Sequence, residues 1–336
     1  MQAKHSALRK RVTTLTIGLL MVVLGLTVSM LAAVYQSNKN QTYLVELLNT
    51  AINTLEQDVT LEINRYEYGL RGARGSIAVA GKNGITRDLF RLYSQTRDID
   101  HEFAGARGIG FIRRVPAVDQ EAFIERARAD GWPDFQLRQL AASEGERYII
   151  QYVEPIARNG QAVGLDIASE PKRRQAADAA TDNATPQLTG PITLVQASNA
   201  AQRAFLLLMP VYDIYPVPET VEARRKASVG WTYAALIIDE VVAKLQLVAD
   251  QSIQLSDVTD PAAPQVFYTQ GDFTQARQTR KKTLLLAGRQ WELEVGSTPA
   301  MEKRAQSLQP AEVFVFGSLV SLLMGVVTGL IVERKR

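Results

Sequence analysis

The 336-residue sequence contains no cysteine and only two histidines, His5 and His101. Without cysteine there is no disulfide staple, no thiol nucleophile and no thiolate metal site. His101 is the one imidazole beyond the first few residues, so a histidine triad or a multi-histidine metal centre lacks its parts. No GxxxxGKS/T or GxGxxG run stands between a strand and a helix, which removes the phosphate-cradling loops of nucleotide enzymes. Low-complexity tracts and short-period repeats are also missing. The expectation is a protein that is not an enzyme, with no catalytic residue, metal or cofactor.

What is present is hydrophobicity concentrated at the two ends. Residues 12–35 carry no charge, and from Leu15 onward aliphatic side chains dominate. Residues 313–332 form a second uncharged run. About 20 apolar residues in a helix cross a ~30 Å hydrocarbon core, so each run is expected to be a transmembrane helix. A secretory signal is the alternative for the first run. Its length and the lack of a small-x-small cleavage site before Tyr35 favour an anchor.

Lys4, Arg9, Lys10 and Arg11 precede the first run, and Arg334, Lys335 and Arg336 follow the second. The positive-inside rule puts residues 1–11 and 333–336 in the cytoplasm and 36–312 on the other side of an inner membrane, in the periplasm. The chain's net charge of +3 comes from these ends. Taking those seven residues from 38 basic ones, and Glu333 from 35 acidic ones, leaves 31 against 34, a net of −3. Nucleic acid is therefore not an expected partner.

Between the runs the pattern is α+β. Val45, Ile52, Val59 and Tyr66 recur every seven residues with Leu48 and Leu55 interleaved, and Glu62 breaks the second series. This predicts a stalk helix over about 41–70, within 36–75, whose apolar face is either a dimer seam or packs on its own domain. Gly69, Gly72 and Gly75 read as its end. Strands are predicted at 107–115, 137–140, 148–153, 162–167, 189–195 and 204–211. Helices are predicted at 119–129 and 172–180, the latter capped by Ser169 or Glu170 with Pro171 in its first turn. Pro216, Pro218 and the run Glu222, Arg224, Arg225, Lys226 mark 213–228 as a linker. Beyond it the pattern restarts, with a strand at 230–238, a helix at 239–248 and strands at 252–257, 265–269, 283–287 and 290–296.

The series Glu154–Pro155–Ile156–Ala157–Arg158–Asn159, Gly164–Leu165–Asp166, Ser169, Pro171, Arg173 and Arg174 stands out. Together with 108–115 and Met209–Pro210–Val211–Tyr212, it resembles the CHASE family of extracytoplasmic sensors over about residues 40–300. That family includes plant cytokinin receptors and many bacterial histidine kinases and cyclic-di-GMP enzymes. The resemblance implies a long N-terminal stalk helix carrying two PAS-like lobes, a distal one at 76–212 and a proximal one at 213–300, with a small ligand in the distal lobe. It also implies that Asp166 hydrogen-bonds the ligand and that Leu188 contacts it through its backbone. Leu208 falls where cytokinin-binding relatives tend to be polar, which argues against an adenine-type ligand.

Read by itself, Asp166 at a strand end can accept hydrogen bonds from a ligand or cap the following helix. Tyr148, Tyr152 and Trp132 line a pocket or fill the core. Arg173 and Arg174 read as a solvated helix face, and His101 as a surface or structural residue with pH sensing as the alternative. Gly317, Ser321, Gly325 and Gly329 form a small-residue face on the second apolar run, echoed by Gly25 and Ser29 on the first. The expected function is a homodimeric transmembrane receptor for a small-molecule ligand. Its output domain, or a separate cytoplasmic signalling enzyme, lies outside a sequence that stops at residues 333–336. The alternative is a membrane-anchored scaffold whose outer domain binds another protein; an enclosed pocket separates the two.

Overall fold

One helix, α1 (Gln2–Val79), takes up the first apolar run and the stalk stretch without a break. From Leu44 to Ile77 its buried hydrophobic side chains are Leu44, Leu48, Ile52, Leu55, Val59, Ile63, Tyr66, Leu70, Ala73 and Ile77, three or four residues apart. That spacing makes one continuous stripe on a 3.6-residue helix. The stripe is buried within a single chain, which is the self-packing alternative. Gly69 and Gly72 do not end the helix. A Cβ at Gly69 would lie 1.9 Å from the Phe103 ring, and one at Gly72 would lie 2.6 Å from the Tyr93 hydroxyl. They are close-approach positions, not terminators.

The computed structural model describes residues 2–81, 84–194, 202–245 and 250–334. The predicted strand end at Val195, the helix end at 246–248, and Lys335 and Arg336 lie outside the described residues. The chain divides into two compact units. One comprises Ala51–Gly271 and Thr279–Val295; the other comprises Met1–Thr50, Asp272–Gln278 and Gly296–Arg336.

In the first of these units, α2 (Arg87–Gln95) and α3 (Ile99–Glu102) lead into β1 (Ala106–Val115). There follow α4 (Gln120–Ala129), β2 (Arg138–Gln139), β3 (Arg147–Glu154), α5 (Ile156–Asn159), β4 (Leu165–Asp166) and α6 (Pro171–Asn183). The lobe continues with β5 (Gln187–Leu188), β6 (Ile192–Leu194), β7 (Gln202–Tyr212), α7 (Val221–Ala227), β8 (Ser228–Ile237) and α8 (Ile238–Val242). Its sheet runs β2-β4-β3-β1-β8-β7-β5, with β6 also on β7. On one face Phe111, Tyr152 and Val211 cluster with Ile77 of α1 and Phe90 of α2. On the other, Ile150, Leu206, Leu208, Trp231 and Tyr233 pack with Ala176, Ala177 and Ala180 of α6.

The predicted division at 213–228 is corrected here. β8 was assigned to the second lobe, yet it pairs antiparallel with β1 on one side and β7 on the other. Almost every β8 residue is buried, the signature of a central strand. The linker instead holds α7, capped by Thr220, and Asp213 N donates to Ala227 O at 2.9 Å to close the connection between two neighbouring strands. A second, four-stranded sheet starts only at β9 (Gln251–Asp257) and adds β10 (Gln265–Gln270), β11 (Thr279–Leu286) and β12 (Arg289–Ser297) in the order β10-β9-β12-β11.

In the other unit, α9 (Pro299–Ala305) precedes α10 (Pro310–Arg334), which holds the second apolar run. Both α1 and the 299–332 segment are long and apolar enough to cross a membrane. They pack antiparallel through the small residues. A Cβ at Gly325 would lie 2.4 Å from Val22 Cγ2, one at Gly25 2.3 Å from Ser321 Oγ, and one at Gly317 2.4 Å from Ser29 Oγ. Gly329 meets nothing within 4 Å. Close backbone approach of this kind is what small residues at four-residue spacing allow.

Candidate ligand-binding site

A cavity of about 450 Å³ opens between the eight-stranded sheet and the start of α6, under the β2–β4 edge. Ile150, Val153, Leu165, Leu194, Leu206 and Ala235 supply its apolar walls. Its polar side chains are Arg138, Gln139, Asn159, Gln161, Arg173 and Tyr233; none is acidic. Arg138 and Gln139 are exposed at the rim, whereas Asn159, Arg173 and Tyr233 are buried.

Arg173 reaches the cavity because of how α6 begins. Glu170 caps the helix, its carboxylate accepting from Lys172 N and Arg173 N, and Pro171 fills the first turn. From there Arg173, Ala176, Ala177 and Ala180 share the face that covers the sheet, and Trp231 Nε1 donates to Ala177 O at 2.8 Å. Arg173 is 4% exposed, which corrects the reading of it as solvated. Its Nη2 donates to Thr193 O at 3.1 Å, but buried Nε has no hydrogen-bond acceptor among the described residues. Glu170 Oε2 stands 3.8 Å from Nε, beyond hydrogen-bond length. Burial lowers the guanidinium pKa, while Glu170 and Tyr233 pull it back up.

Tyr233 comes from the centre of β8 and is 2% exposed. Its ring lies over Gly110 of β1, where a Cβ would sit 2.3 Å from Cε1. The buried hydroxyl has no hydrogen-bond partner among the described residues, and burial raises its pKa while Arg173 pulls it down. Arg173 Nε and Tyr233 Oη are thus two buried polar atoms, without hydrogen-bond partners among the described residues, on side chains that line one cavity. Neither residue was singled out as a ligand contact from the sequence. For Arg173 the signal was there, since it stands three, four and seven residues before alanines that must face the sheet.

None of the five predicted ligand contacts, Asp166, Leu188, Leu208, Tyr148 and Tyr152, lines this cavity. Asp166 is fully buried, but its carboxylate is occupied by the protein itself. Oδ1 accepts from Tyr148 N at 2.9 Å and Ala168 N at 3.0 Å, and Oδ2 lies 3.4 Å from Gln139 Nε2 and 3.6 Å from Arg147 Nη1. It caps the short turn 167–169, while Glu170 caps α6. Leu188 N donates to Ala287 O at 2.8 Å, so the backbone group expected to meet a ligand already has a partner. Leu208 is wholly buried in the core with its backbone paired to β5.

Tyr148 and Tyr152, four apart on one strand, should share a face. A register shift opposite Phe111 and Ile112 inserts Gln151 as an extra residue and sends them to opposite faces. Tyr148 packs on Trp231 at 4.4 Å and its hydroxyl donates to Asp178 at 2.6 Å. Tyr152 joins the α1-side cluster, where its hydroxyl donates to Asp130. Trp132 carries the Arg87 guanidinium at 3.9 Å, and Arg174 stacks 5.3 Å from the Tyr148 ring. His101 is exposed, with Nδ1 2.9 Å from Asp98 Oδ2. Among the described residues no cluster of three or more histidine, aspartate or glutamate side chains is placed to hold a metal.

The family model of the CHASE domain matches residues 83–268, from just after α1 into β10. No curated protein matches the chain. The CHASE domain is an extracytoplasmic sensory module, not a catalytic one. Its match takes in the whole cavity and more than half of the chain, so this protein belongs to the CHASE-domain family.

Proposed function

We propose that the chain is the sensory half of a transmembrane receptor that binds a small molecule outside the cytoplasm. The observation that carries this is the cavity itself: a mostly apolar space of ligand size, lined by Arg173 and Tyr233, whose buried polar atoms Nε and Oη have no partner among the described residues. A scaffold has no need of such a site. In this reading the eight-stranded sheet with α6 over it is the distal PAS-like lobe and the four-stranded sheet the core of the proximal one. The ends of α1 and α10 cross the inner membrane, leaving 36–312 in the periplasm. Antiparallel packing of the two apolar helices supports that topology, since it brings both chain ends to the same side.

The receptor works as a homodimer and passes its state to an output domain or a separate cytoplasmic enzyme. A signal requires the ligand to bind two conformations with different affinity. α1 is one element that carries both an apolar run and the stripe packed on the ligand-binding sheet, so a shift of that sheet has a helix to act on.

The test is native mass spectrometry of the full chain, purified in detergent, beside Ala235→Phe, which puts a ring into the cavity. A small molecule should accompany the wild type or bind it from a metabolite mixture, and be lost in the variant. Equal binding by both would remove the cavity from the function.

A further inference from the structure

We infer that the cavity takes a small organic anion, a carboxylate on an apolar body, held by Arg173 and Tyr233. This rests on the cavity being the ligand site.

The charge in the cavity is one-sided, with Arg138 and Arg173 in its lining and no acidic side chain. Glu170 is the nearest carboxylate to Arg173, but it already accepts from two backbone amides and does not reach Nε. A guanidinium that is 4% exposed with an open N–H is costly unless something negative completes its shell. A cationic ligand would meet like charge, and a neutral one would leave the buried Nε–H without a charged acceptor within hydrogen-bond length. The Tyr233 hydroxyl is a second donor without an acceptor on the same cavity. A carboxylate offers two acceptor oxygens to these two donors, and a charged acceptor makes the stronger bonds. A phosphate asks for more donors than the buried end of the cavity offers, because Asn159 Nδ2 already donates to Arg107 O and Pro155 O and the other polar side chains stand nearer the rim. Ile150, Leu194, Leu206 and Ala235 receive the rest of the molecule, which must therefore be apolar.

The experiment titrates the full-length chain in detergent with phenylacetate, hexanoate, phenylacetamide, hexanamide and phenethylammonium, by calorimetry. The carboxylates should bind, with their amides weaker by about 10–150-fold, the range for one hydrogen bond to a charged group. Arg173→Gln should erase the preference for carboxylate over amide. Tyr233→Phe should weaken carboxylate binding about tenfold while retaining the preference. Each variant's thermal melt reports whether it folds, and Arg173→Lys, which keeps the charge, should hold part of the preference if Arg173→Gln does not fold. Amides or the amine binding as well as the carboxylates would overturn the anion assignment and leave the ligand site standing. Carboxylate binding that survives Ala235→Phe, or no binding by any of the five, would overturn both.

Discussion

Two neighbouring side chains exchange roles between sequence and structure. Asp166 has the look of a ligand contact, but its carboxylate holds together the end of β4, the start of β3 and the turn at 167–169. Asp166→Ala leaves the amides of Tyr148 and Ala168 buried without an acceptor. It should cost on the order of 3 kcal/mol of stability in a denaturation curve, with carboxylate binding by the folded fraction unchanged. A stable variant that no longer binds would return Asp166 to the site. The reason it misleads is that an aspartate at a strand end serves a ligand or a turn equally well in one dimension. Arg173 was more legible, since its spacing from three alanines already places it on the covered face, and only the habit of reading arginine as solvated hides it. His101 offers a check on surface chemistry. The hydrogen bond between its ring and Asp98 raises the imidazole pKa and lowers that of the carboxyl. The raised His101 contributes below about pH 6.5 and is lost as pH rises through its folded value; the depressed Asp98 contributes above about pH 4 and is lost as pH falls through its own. Asp98→Asn should bring the His101 titration, followed by NMR of labelled histidine, down toward that of a free imidazole, with Asp100 still raising it. No change would mean that the pair does not persist in solution.

Elements whose pattern is local were readable, and those defined by a partner were not. β1, β3, β7, β9, β10 and α6 fall close to their predicted spans because alternation, a capping glutamate and Pro171 lie within a few residues of each other. The identity of β8 as a strand was equally plain; its membership of the first sheet was not, since a central strand finds its neighbours 16 to 130 residues away and the prolines before it imitate a domain linker. The bulge at Gln151 is likewise silent in sequence, yet it decides which tyrosine faces which layer. In α1 three glycines look alike and do different things. A Cβ at Gly69 collides with Phe103, whereas one at exposed Gly75 meets nothing within 4 Å. Gly69→Ala should therefore destabilise the chain by about 1–3 kcal/mol through overpacking. Gly75→Ala should stabilise it by roughly 1 kcal/mol, because alanine is the better helix former. Thermal melts that move in the same direction for both would contradict the packing described for this face.

At the scale of the whole molecule the sequence speaks through its ends, because membrane helices obey simple rules of length, charge and small-residue spacing. The face of Gly317, Ser321 and Gly325 was expected to meet another helix, and the structure names that helix as α1 of the same chain, with Ser29, Gly25 and Val22 opposite. This matters for signalling. A face used inside one chain holds its two apolar helices together, whereas a face used between chains would join two copies. The natural absence of cysteine makes the distinction measurable without first removing thiols. A Cβ at Gly317 would lie 2.9 Å from that of Ser29, close enough that slight separation gives the spacing of a disulfide. The double variant Ser29→Cys, Gly317→Cys, oxidised in native membranes, should run on a non-reducing gel as a monomer of altered mobility that reverts on reduction. Each single variant should stay unlinked, because position 29 would then have no thiol opposite it. Covalent dimers in the double variant at low expression would instead mean that the small-residue face joins two chains, and the intramolecular pairing of α1 with α10 would have to be given up.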